Sequence, residues 1–193
     1  MAYIPGVGGV IYQSLTAGTA KASFTTEIAI NDTAGMGALP TVLPEFWSPN
    51  DGIGKIVAVS ARGILSSTAT PTYTFTLRVG AAASVTAAIA LGSAALTTQS
   101  GITNQIWEFQ GEFVVTALGA AGANSTLRGV GMLHCAGIAS PFVAPLWGGG
   151  ATPGTTAILD HSIQNYFNFN VACSASSPSN TITLQFLRIV GLN

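Results

Sequence analysis

Apolar and polar residues alternate with a period of two along much of this chain. In residues 107–118, Trp107, Phe109, Phe113, Val115 and Ala117 share one parity, with Gly111 the single gap. Glu108, Gln110, Glu112 and Thr116 share the other. That period marks a strand with one buried face and one wet face. A Gly- and Asn-containing connector at 119–125 then returns the chain, so residues 106–133 predict a long antiparallel hairpin around which the rest is organised. Residues 72–79 set Tyr73, Phe75, Leu77 and Val79 against Thr72, Thr74, Thr76 and Arg78. Residues 181–190 set Ile182, Leu184, Phe186, Arg188 and Val190 against Thr181, Thr183, Gln185, Leu187 and Ile189. Further strands are expected at 24–30, 55–65 and 166–173, with a short one around 10–15. In residues 81–96 alanine favours helix, but Gly80, Gly92 and the interspersed Ser and Thr bound pieces short enough for strands, and strand is the expectation.

Two long Gly/Pro segments interrupt the pattern. Residues 31–54 hold Pro40, Pro44 and Pro49 around Phe46 and Trp47. Residues 135–156 hold Pro141, Pro145 and Pro153 around Phe142, Leu146 and Trp147. A loop as long as 31–54 is functional or packed down, and its Phe46–Trp47 pair favours packing. Residues 1–22 read as an extended N-terminal arm that gains order by lying on a neighbouring subunit, and residues 23–193 as one domain. About eight to ten short strands with turn signals between them, and no helix pattern, predict an all-β fold, an antiparallel β-sandwich of jelly-roll-like form.

Composition sharpens this picture. Charged residues make up only 7% of the 193, and 48% are apolar, against about 25% charged in an ordinary soluble domain. A surface so poor in charge suits either a membrane or burial against other protein subunits. The longest low-polarity run, 80–96, is too short and too interrupted for a spanning helix. The first residues carry no basic region or apolar core of a leader, so synthesis in a cytoplasm is expected. A net charge of −1 with scattered basic residues argues against nucleic acid as a partner. Cys135 and Cys173 can pair only with Cα atoms within about 7 Å, and a reducing cytoplasm favours free buried thiols.

Candidate chemistry is sparse. Asp160, His161 and Ser162 adjoin in sequence, where neighbours do not face each other in triad geometry, so they read as a polar turn. Glu108 and Glu112 share a strand face, but at about 3.4 Å per residue their Cα atoms lie roughly 13 Å apart, beyond simple pair chemistry. They read instead as solvent-facing or inter-subunit residues. His134 and Cys135 point to opposite faces of a strand, and neither Cys-x-x-Cys nor His-x-His occurs. No metal, cofactor or catalytic residue is expected. The loop aromatics Phe46, Trp47, Phe142 and Trp147 remain as candidate contacts for a subunit or a sugar ring, with the subunit preferred.

Four stretches carry a resemblance. They are Tyr-Thr-Phe-Thr-Leu-Arg-Val-Gly at 73–80, Trp-Glu-Phe-Gln-Gly-Glu-Phe-Val-Val-Thr-Ala-Leu-Gly at 107–119, Leu-Arg-Gly-Val-Gly-Met-Leu at 127–133, and Ala-Ser-Ser-Pro-Ser-Asn-Thr-Ile-Thr-Leu-Gln-Phe at 175–186. Over residues 55–193 the chain resembles a family of tailed-bacteriophage virion proteins of the trimeric jelly-roll type. The resemblance implies a structural protein on the particle surface. As a capsid decoration protein it would form a homotrimer bridging major capsid subunits or other virion proteins. The alternative is a tail or fibre-tip adhesin that binds host-surface glycan.

Overall fold

The alternating segments form strands close to where their patterns place them. The computed structural model describes residues 9–31, 33–37, 39–47, 52–120, 125–139, 143–150 and 154–192. Among these, the first half of the chain supplies β1 (Gly9–Gln13), β2 (Ile28–Ala29), β3 (Thr41–Val42), β4 (Ile56–Ser67), β5 (Thr72–Gly80), β6 (Ala88–Ser93) and β7 (Leu96–Thr97). The second half supplies β8 (Ile102–Ala117), β9 (Ser125–Cys135), β10 (Val143–Trp147), β11 (Thr155–Leu159), β12 (Asn165–Cys173) and β13 (Thr181–Gly191). Helix is confined to single turns, α1 (Thr33–Met36) and a 3-10 turn at Pro44–Trp47. No helix of the described residues is long and apolar enough to cross a membrane. The protein is all-β.

All the strand pairings are antiparallel and run in the order β1-β13-β4-β8-β9-β10-β6-β5-β12-β2, with β11 on β9, β3 on β12 and β7 on β5. The sheet doubles over on itself. Trp107 of β8 stacks on Phe169 of β12 at 5.8 Å and 9°, and Phe109 meets the same ring edge-on at 4.8 Å. Phe113 packs on Phe167 at 6.1 Å. Yet β9, β10, β6 and β5 separate β8 from β12 in the order. These rings can meet only if the sheet forms two facing layers, and their contacts fill the core between them. In one layer β4 lies beside β13, and in the other β5 lies beside β12. The β4–β5 and β12–β13 connections therefore cross between layers, as in a ribbon rolled on itself, which is compatible with the jelly-roll-like expectation.

Two sets of glycines let the layers close. Gly63 lies opposite Trp107 in the ladder, and a Cβ there would come within 2.5 Å of the indole and 1.9 Å of the Thr183 carbonyl oxygen. The gap at Gly111 on the apolar parity of β8 is joined in register by Gly131, with Gly129 opposite Phe113. Leu91 of β6 enters this side-chain-free patch, so a Cβ at Gly111 or Gly129 would come within 3.0 or 2.8 Å of its methyl groups. β6 thus approaches the β8–β9 hairpin where the sheet turns over.

The N-terminal segment straps the opposite side. Beyond β1, Ser14 N–H donates to the Leu187 carbonyl and Ser14 Oγ accepts from Leu187 N–H. Gly18 N–H donates to the Leu184 carbonyl, and Lys21 bridges to Ile182. The chain then crosses to β12, where β2 pairs and the Asn31 amide bonds the backbone of Phe167 and Phe169. The expectation that the arm finds its order on a neighbour is corrected for residues 9–22: they lie along β13 of their own domain. An open strand edge supplies the backbone partners that composition does not reveal.

Three further expectations change. In 24–30 only Ile28–Ala29 is strand, because that segment is a crossing between layers. In 81–96 the first half is turn and the second half strand. In β13 the register shifts between Leu184 and Phe186, which flips the parity. Ile182 and Leu184 point inward before the shift, as do Leu187 and Ile189 after it. Phe186, Arg188 and Val190 therefore leave the apolar parity that simple alternation gave them. A bulge adds one residue to one strand and so exchanges its faces.

Candidate functional site

The outward parity of the layer β13-β4-β8-β9-β10 forms a broad face whose rows follow from the ladders. One row runs Arg62, Glu108, His134, Val143. The next runs Arg188, Ser60, Gln110, Met132, Pro145. A third runs Val190, Ala58, Glu112, Val130. Beyond it lie Ile56, Val114 and Arg128, and on the other side Ile64 and Ile106. Five of the chain's thirteen charged residues (six basic, seven acidic) fall on this one face. So do four large exposed apolar side chains: Ile106 at 65% exposure, Met132 at 55%, Val130 at 50%, and Val143.

The charges are unevenly engaged. Arg62 Nε donates to Glu108 Oε1 at 2.6 Å, and Gln110 Nε2 donates to the same oxygen at 2.6 Å. Desolvation pushes the Glu108 carboxyl up, but the Arg62 and Gln110 hydrogen bonds, the Arg62 charge and nearby His134 outweigh it and hold the group below its ordinary value. Glu112, Arg128 and Arg188 are exposed and enter no salt bridge among the described residues. Apolar side chains next to unpaired charges, with Met and Arg prominent, match the composition of a protein contact surface with a polar rim.

The residues singled out from sequence separate into two groups. Glu108 and Glu112 lie two rows apart on this face, as the alternation predicts. Trp147 ends β10, half-buried, on the parity of exposed Val143 and Pro145, so it continues the same face at its edge. Phe46 and Trp47 are corrected as candidate contacts and take the packed position their loop favours: they are 1% and 0% exposed and pack edge to face at 4.6 Å. Phe46 covers Gly191, where a Cβ would come within 2.5 Å of its ring, and the Lys55 ammonium lies 5.8 Å from the ring centroid. A neighbour or a sugar cannot reach either ring in this structure. Phe142 lies outside the described residues. Sequence reasoning missed Ile106, Val130, Met132 and Val143. Their signal was parity, since Ile106 sits among the polar positions of β8, and Val130 and Met132 alternate with the buried Leu127, Leu133 and Cys135.

The other candidate groups take structural positions. Asp160 Oδ1 accepts from the Ser162 N–H and hydroxyl, forming the turn before β12. His161 Nδ1 lies 2.9 Å from Ser125 Oγ, which is wholly buried where β9 begins after the β8–β9 connector. Cys135 and Cys173 are both free and buried. Burial pushes the Cys135 thiol up to about 11, which removes thiolate character at neutral pH. Among the described residues no three His, Cys, Asp or Glu side chains gather as a metal site.

The fold and this face define an all-β protein with a doubled antiparallel sheet and one broad, mixed apolar and charged outer surface. No family model matches the chain, and no curated protein does. Among solved structures it is similar to the CBM2 module of the evolved Dit of Lactobacillus casei BL23 phage J-1. That similarity spans 89% of this chain and 98% of the module, at 9% identity and a TM-score of 0.25. At such a score the likeness carries no functional argument.

Proposed function

We propose that this chain is a structural protein of a bacteriophage virion that decorates the particle. In this reading it attaches to major capsid or other virion subunits through the outer face of β4, β8, β9 and β10 and acts as a homotrimer without catalysis. The observation that carries it is the exposure of Ile106, Val130, Met132 and Val143 beside the unpaired Glu112 and Arg128. Apolar area left in water favours a partner that covers it, at roughly 25 cal/mol per Å² before the costs of association. The virion assignment itself comes from the sequence resemblance over residues 55–193. The test is to add purified protein to particles lacking it and to image the label. Binding over the head supports decoration; a monomer in solution that fails to bind particles overturns it.

A second reading, a tail adhesin for host glycan, is favoured by one observation: Trp147 stands half-exposed at the edge of a face that carries planar Gln110 and Glu108. Its signature is binding to whole host cells that Trp147→Ala abolishes, with the label on the tail.

A further inference from the structure

The outward face of the second layer carries a buried polar cluster that the contact-face reading does not use. Asn168 and Asn170 of β12 lie opposite Arg78 and Thr76 of β5 in the ladder. Outward positions are normally wet, yet Asn168 is 2% and Asn170 0% exposed, in a strand that β5 pairs along one edge and β2 along the other. From the strap, the Glu27 carboxylate accepts from Arg78 Nε and Nη2, each at 2.7 Å, and from the Thr76 hydroxyl. Arg78 Nη1 also donates to the Ala87 carbonyl at 2.6 Å. The Asn170 amide lies close enough to favour the Glu27 charge without reaching hydrogen-bond geometry. Asn170 Nδ2, Asn170 Oδ1 and Asn168 Oδ1 have no hydrogen-bond partner among the described residues. Buried amides are paired as a rule, and three unpaired atoms on two successive outward positions call for a shared occupant.

We propose that this cluster is a binding site for internal water, which bridges Asn168 and Asn170 to the strap and fixes the strap's register on β12. The chemistry selects the occupant. One orphan is a donor and two are acceptors, so the bound species both donates and accepts. Arg78 already neutralises Glu27, so a cation would face the guanidinium and an anion the carboxylate. A small neutral molecule that donates and accepts is water, and buried waters bond otherwise unsatisfied groups in this way.

A high-resolution crystal structure of the unmodified protein tests this directly. The expected result is water density about 2.7–3.2 Å from Asn170 and Asn168. A site without such density, or one with Asn170 bonded to a protein group, overturns the proposal. Denaturant titration of Asn170→Leu gives an independent sign. Loss of water-bridged bonds lowers the ratio of folded to unfolded protein about tenfold. If the amide is orphaned, its removal leaves that ratio unchanged or raises it, which also overturns the proposal. Because Asn170→Leu can misfold through packing alone, the density in the unmodified chain decides by itself.

Discussion

At the scale of single residues, the core depends on what is missing at Gly63 and what is paired at Glu27. The Trp107 indole lies where a Gly63 side chain would be. Gly63→Ala forces either the indole or β13 to move, and overpacking of this kind costs about 1–3 kcal/mol. A lowered melting temperature with unchanged strand content is the expected outcome, measured by circular dichroism. Burial pushes the Glu27 carboxyl up, but the Arg78 and Thr76 hydrogen bonds and the Arg78 charge hold it below its ordinary value of 4.5. A depressed folded value means that Glu27 adds stability above its unfolded value, and that this contribution is lost as pH falls through the folded value. Stability should therefore decline below about pH 4.5, and Glu27→Gln should flatten that acid limb when unfolding is followed against pH. An acid limb of equal depth in the variant would remove Glu27 from the account.

At the scale of elements, β13 is the strand whose sequence pattern and structure disagree most usefully. Its alternation assigns Arg188 to the apolar side, and the bulge after Leu184 returns it to the surface. The same strand offers an edge that β1 and residues 14–21 cover. Unpaired edges template association with other chains. Deleting residues 1–22 should therefore lower stability and produce concentration-dependent association, both visible in gel filtration with light scattering. An arm that served only a neighbour would leave the melting temperature of the domain untouched. β10 is the other lesson at this scale. Pro145 at its centre disguises it as loop, but β6 pairs only with Leu146 and Trp147, so the missing N–H breaks no ladder on that side.

At the scale of the molecule, a chain with 7% charged residues places five of its thirteen charges on one outer face. Residues exposed to this degree contribute little to folding, and surface substitutions usually stay within about 0.5 kcal/mol. Met132→Glu combined with Val130→Glu should leave the melting temperature nearly unchanged while abolishing attachment to particles, measured by co-sedimentation. Attachment that survives both substitutions would move the contact elsewhere. If glycan is the ligand, Trp147→Ala is the more damaging change, and host-cell binding rather than particle binding reports it.

Much of this was legible in the chain because strand pairing and strand burial leave local marks. The period of two in β5 and β8 identified the faces of those strands, and Glu108 and Glu112 fell outward as their parity requires. Parity is a property of the extended backbone and needs no partner to define it. What the sequence could not decide was which elements meet. Phe46 and Trp47 sit in a Pro-rich loop whose sequence names no packing partner, and the folded chain buries both, Phe46 against Gly191 and Lys55. The strap has the composition of a free arm until β13 supplies its hydrogen bonds. The mixed apolar and charged outer face exists only once β4, β8, β9 and β10 stand side by side, because its apolar residues are scattered singly along the chain and become a surface through register alone.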